Sequence, residues 1–286
     1  MERVRSITAP IAVMLFLLGA MFWLALPVSA QLPSDLVQPV EEDTEPALEA
    51  DTAVERAASG PTLLITDNRG RLGRVTVAST AVVSPLGSTG KILTDIARCP
   101  SNGRLFGITF TDLYFITTNP VRLTALGRHG IPGGNALLCR SDGRLLGAGF
   151  QSKSLWRITL KNGSSGPTGI AERKELKPSI GFYSDGDLAF YGGNLFMVSL
   201  DDHLLSIRLG TNDSIISTQD KGQLHYLRGQ TPIRIAQAYG LVSASNGVLY
   251  AVARNQIFSV NTSNALCTLK TTYQHPSLSN AYGATQ

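Results

Sequence analysis

The chain has 286 residues, of which 43% are hydrophobic and 16% are charged, and its formal net charge is +4 at pH 7. This length allows one sizeable domain with appendages. The three cysteines are an odd number, which argues against a fold stapled by disulfides, and their spacings fit no zinc site.

The first 30 residues have the organisation of a secretory signal peptide. Arg3 and Arg5 precede 24 uncharged residues, Ile7 to Ala30, and Val28-Ser29-Ala30 has the small-residue spacing of a cleavage site. We therefore predict a signal peptide at residues 1–30 and a secreted or periplasmic protein. The alternative is an uncleaved segment that anchors the protein in a membrane, because a stretch of this length can also span a bilayer.

Residues 31–60 are rich in Pro, Ala, Glu and Asp, a composition that predicts a disordered acidic tether. They carry a net charge of −7, whereas residues 61–286 hold 22 Lys and Arg against 12 Asp and Glu, a net charge of +10. This split suggests an acidic partner, either a surface polymer or a protein ligand, or a tether that folds back and screens the domain; the alternative, which we prefer, is a merely solvated surface. We expect no nucleic-acid partner, because no recognition module is visible.

Five short segments with one pattern, Leu or Ile followed three residues later by Ile or Val, organise the rest of the chain. They begin 41, 42, 49 and 53 residues apart, at Leu72, Leu113, Leu155, Leu204 and Ile257. Four of them follow an apolar run that opens with a Gly-x-Leu turn, as in Gly247-Val248-Leu249-Tyr250. Periods in the forties with several short strands per repeat are typical of a β-propeller.

The strands assigned in residues 61–286 predict an all-β, five-bladed β-propeller. The first unit has only three strands before Gly87, and Ala281-Tyr282-Gly283 repeats the Ala238-Tyr239-Gly240 that opens the innermost strand of the fifth unit. We therefore predict that the ring is closed by the N- and C-terminal strands, which removes an exposed sheet edge. The alternative is a six-bladed ring in which residues 219–237 form a degenerate blade.

The repeat resembles exported bacterial β-propeller proteins, of generally uncharacterised function, whose blades read Gly-x-Leu-Tyr and then Leu-Tyr-x-Ile-Asp. The likeness extends over about 225 residues. The Asp of the family pattern is replaced here by Thr117, Thr159, Arg208 and Asn261, so a side chain that stabilises the turn is mostly missing. The resemblance specifies fold rather than function, because propellers include binding modules, scaffolds and enzymes.

Candidate site residues lie at the start of the innermost strands, where ligands bind at the mouth of a propeller channel. The repeat places five side chains in equivalent positions there: Asp95, Asn135, Asp187, Tyr239 and Tyr282. Asp95, Asn135 and Asp187 belong to consecutive blades and offer the oxygen ligands that Ca²⁺ or another hard divalent cation favours. A similarity to lactone-hydrolysing, metal-dependent propellers adds to this metal hypothesis. The opposing interpretation is that Asp and Asn here tie loops through local hydrogen bonds, with no cofactor.

Cys99 and Cys139 also occupy equivalent positions, in adjacent blades. Export would permit a disulfide between them, but we expect buried, unpaired thiols because inner strands can lie too far apart for the bond. No nucleophile motif is present, which argues against an enzyme. The sequence therefore predicts an exported binding or scaffold module of unknown ligand, with a lactonase-like hydrolase or lyase that uses a channel metal as the alternative.

Overall fold

The structure, a computed structural model, describes residues 60–286. The predicted signal peptide at residues 1–30 and the predicted tether up to residue 59 lie outside the described residues. Within residues 60–286 there are 22 β-strands and one single-turn 3₁₀ helix, Thr211–Asp213, and no α-helix. In this range no helix is long and apolar enough to cross a membrane.

Twenty of the 22 strands form five four-stranded antiparallel sheets, the blades of the propeller. Blade 1 begins with β1 (Thr62–Asp67), β2 (Arg71–Thr76) and β3 (Val82–Ser88). Blade 2 contains β4 (Asp95–Arg98), β5 (Leu105–Ile108), β6 (Asp112–Thr118) and β7 (Val121–Arg128). Blade 3 contains β8 (Gly134–Cys139), β9 (Leu145–Gly149), β10 (Ser152–Gly163) and β11 (Gly166–Glu175).

Blade 4 contains β12 (Ser184–Tyr191), β13 (Asn194–Ser199), β14 (His203–Leu209) and β15 (Ile215–Gln223). A two-stranded hairpin follows, made of β16 (His225–Arg228) and β17 (Thr231–Arg234). Blade 5 contains β18 (Gly240–Ser243), β19 (Leu249–Ala253), β20 (Gln256–Val260) and β21 (Cys267–Thr272). The last strand, β22 (Ala281–Thr285), completes blade 1.

The chain ends close the ring as predicted. β22 pairs with β1 in an antiparallel register that sets Ile65 opposite Ala284 and Thr66 opposite Gly283. The buried carboxylate of Asp67 reinforces this closure, because it accepts hydrogen bonds from the Ser279 backbone N–H at 2.8 Å and from the Arg71 side chain at 2.8 Å. Burial opposes its ionisation, but these hydrogen bonds prevail and hold the pKa of Asp67 below its ordinary value.

The number of blades is five because residues 219–237 do not form a sixth. Part of that segment extends β15 to Gln223, and the remainder forms the β16–β17 hairpin, whose strands pair only with each other in the sheet order. Leu224 and Ile235 at the two ends of the hairpin are buried in the core between blades 4 and 5. The hairpin therefore covers an existing blade interface.

The core is divided among the five blade interfaces. Each hydrophobic cluster combines residues of two neighbouring blades, as Leu64, Ile96 and Leu105 do between blades 1 and 2. Alternate residues of each strand point to opposite faces of its sheet, so the apolar runs of the inner strands supply both neighbouring interfaces. The innermost strand of each blade thereby lines a central channel. These five strands are β22, β4, β8, β12 and β18.

Candidate functional site

Two of the predicted site residues, Asp95 and Asp187, meet inside the channel. Asp95 opens β4 in blade 2 and Asp187 lies in β12 of blade 4, so their contact crosses the channel rather than one blade interface. Their carboxyl groups lie close enough to influence each other, and the two residues are 0% and 1% exposed. We name Asp95 and Asp187 the axial pair.

Backbone N–H groups from the inner strands surround the axial pair. Asp95 accepts hydrogen bonds from Ile96 at 2.7 Å and from Leu137 of β8 at 2.6 Å. Asp187 accepts equivalent bonds from Leu188 at 2.6 Å and from Leu241 of β18 at 2.7 Å. The backbone N–H of Ala284 in β22 also faces Asp187, so all five inner strands direct a donor at the pair. These donors satisfy buried carboxyl oxygens that would otherwise be costly to bury.

The axial pair holds protons that ordinary aspartates release. Burial, together with the charge of Asp187, raises the pKa of Asp95 well above its usual range, and burial raises the pKa of Asp187 in the same way despite its N–H donors. Two carboxylates in contact cannot both ionise without a large repulsion, so the pair shares a proton and titrates as a unit.

The three predicted metal candidates, Asp95, Asn135 and Asp187, already make hydrogen bonds within the fold. The oxygens of Asp95 and Asp187 are directed at N–H donors and at each other, which leaves few lone pairs for a cation. The Asn135 amide nitrogen donates to the Ser184 carbonyl at 3.0 Å. Within residues 60–286, no group of three or more His, Cys, Asp or Glu side chains is placed to hold a metal ion. Hydrogen bonds of this kind are what the local-tie interpretation expects, and the metal site stays a prediction.

A β-bulge explains why several of the equivalent side chains leave the normal alternation of their strands. Asn135, Asp187 and Tyr282 each lie at a register shift, where one extra residue is inserted opposite the neighbouring strand. A bulge re-aims the side chain of the inserted residue. Asp187 also has a positive φ of 42°. The bulge therefore recurs at the same position of the repeat in three blades.

A cavity of about 200 Å³ lies at the end of the channel where the inner strands begin. We name it the upper cavity, and every blade contributes to it. Its lining consists of Thr94 and Phe110 from blade 2, Asn135 and Phe150 from blade 3, Asp185 and Leu200 from blade 4, Tyr239 from blade 5 and Tyr282 from blade 1. Three of the five predicted site residues, Asn135, Tyr239 and Tyr282, are thus brought together there.

Aromatic rings make up half of the residues that line the upper cavity. Phe110 and Phe150 form an edge-to-face pair with ring centroids 5.4 Å apart, and Tyr239 and Tyr282 form a second one at 5.6 Å. Such pairs are favourable because the positive edge of one ring meets the negative face of the other. Phe110 is nevertheless 52% exposed and neighbouring Leu200 is 42% exposed, so the lining presents apolar surface to solvent.

Asp185 is the one charged side chain in the lining of the upper cavity. Burial and the nearby carboxylate of Asp202 raise the pKa of Asp185 to about 7, against the opposing charge of Arg234. Arg234 itself forms an ion pair with the buried carboxylate of Asp202. Within the described part of the chain, Asp185 has no hydrogen-bond or ion-pair partner of its own, so its charge is uncompensated.

A larger cavity of about 630 Å³, the lower cavity, occupies the other end of the channel. Aliphatic residues of the inner strands form most of its wall, with Asp187, Phe190 and two arginines, Arg98 and Arg140. Arg140 is engaged by Asp213 and Asp142. The axial pair lies between the two cavities, since Asp187 reaches the lower one and Asp185, two residues earlier, the upper one.

Cys99 and Cys139 form a disulfide between β4 and β8, with their Cα atoms 4.8 Å apart. The expectation of unpaired thiols was therefore wrong for these two cysteines. The channel is narrow enough that neighbouring inner strands lie within the distance that a disulfide requires. Cys267 is free and buried among the described residues, and burial raises the pKa of its thiol to about 12.

The sequence reasoning missed Thr94, Phe110, Phe150, Asp185 and Leu200. Three of them have a signal in the repeat: Phe110, Phe150 and Leu200 each lie five residues after the leucine of a Gly-x-Leu turn, namely Leu105, Leu145 and Leu195. In blade 5 the same offset leads to Arg254. Aligning the turns after the second strands, as well as the starts of the inner strands, would have identified this rim.

Comparison with known proteins yields structural likenesses without sequence relatives. No protein-family model matches the chain, and no curated protein matches it in sequence. An auxiliary nutrient binding protein from Bacteroides thetaiotaomicron is similar in structure, with a TM-score of 0.46 and 12% sequence identity. The match covers 80% of this chain and 64% of that protein. A protein of unknown function from Bacteroides caccae has a TM-score of 0.42 at 12% identity and covers 79% of this chain and 98% of its own.

Virginiamycin B lyase from Staphylococcus aureus is also similar, with a TM-score of 0.38 at 13% identity over 77% of this chain and 71% of the lyase. Two of these bacterial neighbours have different activities in their names, and the third is of unknown function. TM-scores below 0.5 carry no argument about function, so the site itself has to supply one.

Proposed function

We propose that this protein is an exported binding module whose ligand occupies the upper cavity. The observation that carries the proposal is the convergence of all five blades on one concave site with four aromatic rings and a single uncompensated carboxyl. Apolar and aromatic walls with a few placed polar groups are what a small-molecule site requires. The volume of about 200 Å³ is below the roughly 300–1,000 Å³ of drug-sized sites, which points to a small ligand or one group of a larger one.

The upper cavity differs electrostatically from the rest of the domain. Residues 61–286 carry a net charge of +10, and this excess fits an acidic surface polymer or protein ligand on the outer surface. The upper cavity, in contrast, contains one acid and no base in its lining. The outer surface is therefore suited to acidic partners, and the upper cavity is suited to a different ligand.

A ligand screen read by thermal shift tests the binding function. A ligand at a hundred times its dissociation constant stabilises the folded state by about 2.7 kcal/mol, which should raise the Tm of a domain of this size by roughly 5–10 °C. We expect the shift to disappear in Tyr282→Ala and to persist in Arg98→Gln, whose side chain lines the lower cavity. A shift that survives Tyr282→Ala and disappears in Arg98→Gln would move the site to the lower cavity, and a screen without any protective ligand would count against a binding module.

The alternative function is a hydrolase or lyase that uses a channel metal. One observation favours catalysis: a carboxyl with a pKa of about 7, such as Asp185, can accept and return a proton at neutral pH. Elemental analysis of the purified protein distinguishes the two functions. A bound divalent ion that is lost on Asp187→Ala would support the enzyme, whereas a metal-free protein unaffected by chelator would contradict it.

A further inference from the structure

The lining of the upper cavity combines four aromatic rings with one charged group. Phe110, Phe150, Tyr239 and Tyr282 come from four different blades, and Asp185 comes from the remaining one. The face of an aromatic ring is the negative part of its quadrupole and attracts a cation within about 6 Å of the ring centroid. The aromatic rings and the Asp185 carboxylate thus both favour a positively charged ligand.

Basic side chains lie outside the lining of the upper cavity, although the charge of Arg254 reaches Tyr239. The lining contains no Lys, Arg or His. Arg234, the nearest basic group to influence Asp185, is engaged by Asp202. Arg254 donates to the Gln237 side-chain oxygen at 2.8 Å. Asp185 is therefore left without a counter-ion while being half-buried, a state that a bound cation would relieve.

Polar atoms at the floor of the upper cavity reinforce the same conclusion. The Thr94 hydroxyl already donates within the fold, to the Gly134 carbonyl at 3.0 Å. The side-chain oxygen of Asn135 is buried and has no hydrogen-bond partner within residues 60–286. The polar group that the cavity offers to a ligand is thus the Asp185 carboxyl, which suits a ligand with a positive charge.

We infer that the upper cavity binds a small organic cation, an ammonium or methylated ammonium group, between its aromatic rings and Asp185. This inference rests on the proposed function, since it names the ligand class of the same site. Aromatic surface without a base selects for positive charge, and the small volume selects for a compact head group.

Calorimetric titration of the purified full chain with choline, and with its uncharged isostere 3,3-dimethyl-1-butanol, tests the inference. The two probes have nearly the same shape, so apolar burial alone would bind them equally. We expect choline to bind at least tenfold more tightly, and Asp185→Asn to remove most of that preference while leaving the weak binding of the alcohol within about twofold. Equal binding of both probes, insensitive to Asp185→Asn, would overturn the cation inference and leave the binding function in place.

Matched variants separate the site from a general loss of fold. Asp201→Asn removes an exposed acid that does not line the cavity and should leave choline binding unchanged. Tyr239→Phe keeps the ring and should retain binding, whereas Tyr239→Leu removes it and should weaken choline severalfold. Absence of choline binding in a chain that a different ligand protects in the thermal screen would also overturn the inference, and the proposed function would then stand on that ligand.

Discussion

At the scale of single residues, the axial pair is the least ordinary feature of the molecule. Asp95 and Asp187 are fully buried acids that an unfolded chain would ionise near pH 4, yet burial keeps the pKa of both well above that value, and the charge of Asp187 adds to the effect at Asp95. The folded state therefore binds more protons than the unfolded state above pH 4. The contribution of the axial pair to the free energy of unfolding is therefore largest at acid pH, and it is lost as the pH rises towards the pKa values of the folded state.

We predict that Asp95→Asn flattens this dependence. In the variant the Asp95 carboxyl is absent, so one group with a raised pKa no longer titrates, while burial still raises the pKa of Asp187. The free energy of unfolding of the native protein should decline relative to that of the variant by up to about 1.4 kcal/mol per pH unit above pH 4. Denaturant titrations at pH 5, 6, 7 and 8 measure the difference between the two proteins.

Asp185 contributes in the same direction up to its pKa of about 7, but it does so in both proteins and cancels in the comparison. Asp67 has a lowered pKa, so its contribution is lost at acid pH, and it cancels in the same way. Parallel stability curves for the native protein and Asp95→Asn would show that the pair does not retain a proton in the folded state.

At the scale of elements, β22 is the strand on which ring closure depends. It pairs with β1, buries Ala281, Gly283 and Ala284, and places the Ala284 N–H toward the axial pair. Deleting residues 279–286 would also remove the Ser279 donor to Asp67. Each buried polar group left unpaired costs roughly 1–3 kcal/mol.

We therefore predict that this deletion lowers the free energy of unfolding by several kcal/mol, a large part of a typical domain's stability. Adding a synthetic peptide of residues 278–286 should recover part of the loss, and a scrambled peptide of the same composition should not. Thermal melts provide the measurement. A truncated chain that melts within a degree or two of the intact one would show that β22 is dispensable.

Much of this architecture could be predicted from the sequence because each strand has its own local pattern. The second strands β9 and β19 begin and end where their Gly-x-Leu runs predicted, and the ring closure followed from one repeated Ala-Tyr-Gly. The sequence pattern predicts β10 at residues 155–160 and β11 at about residues 167–171, and both strands are longer because they form a hairpin that continues through Lys161 and Glu172.

The candidate site could be predicted only in part. The repeat located Asn135, Tyr239 and Tyr282 because they share one position, but the same position in β4 and β12 turns Asp95 and Asp187 toward each other. The approach of Asp95 to Asp187 depends on the distance across the channel, which the sequence of a single repeat does not determine. The disulfide between Cys99 and Cys139 was missed for the same reason, since it follows from how closely β4 and β8 approach.

At the scale of the whole molecule, the disulfide and the N-terminal sequence point to the same compartment. Disulfides persist in oxidising surroundings outside the cytoplasm, and residues 1–30 have the organisation of a secretory signal. Closing a loop of 40 residues in sequence separation also stabilises the domain by roughly 4 kcal/mol through the entropy of the unfolded chain. Export would therefore supply both the location and a substantial part of the stability.

We predict that the protein recovered from the extracytoplasmic fraction begins at Gln31 and contains Cys99 and Cys139 joined. Peptide mass mapping without reduction should find the two cysteine-containing peptides as one linked species, and reduction should separate them while the peptide containing Cys267 is unchanged. The same map should contain a peptide that starts at Gln31 and none that includes Met1. Recovery of Met1 in a membrane fraction would instead establish the uncleaved anchor, because the 24 uncharged residues that precede Gln31 are long enough to hold the domain at a bilayer.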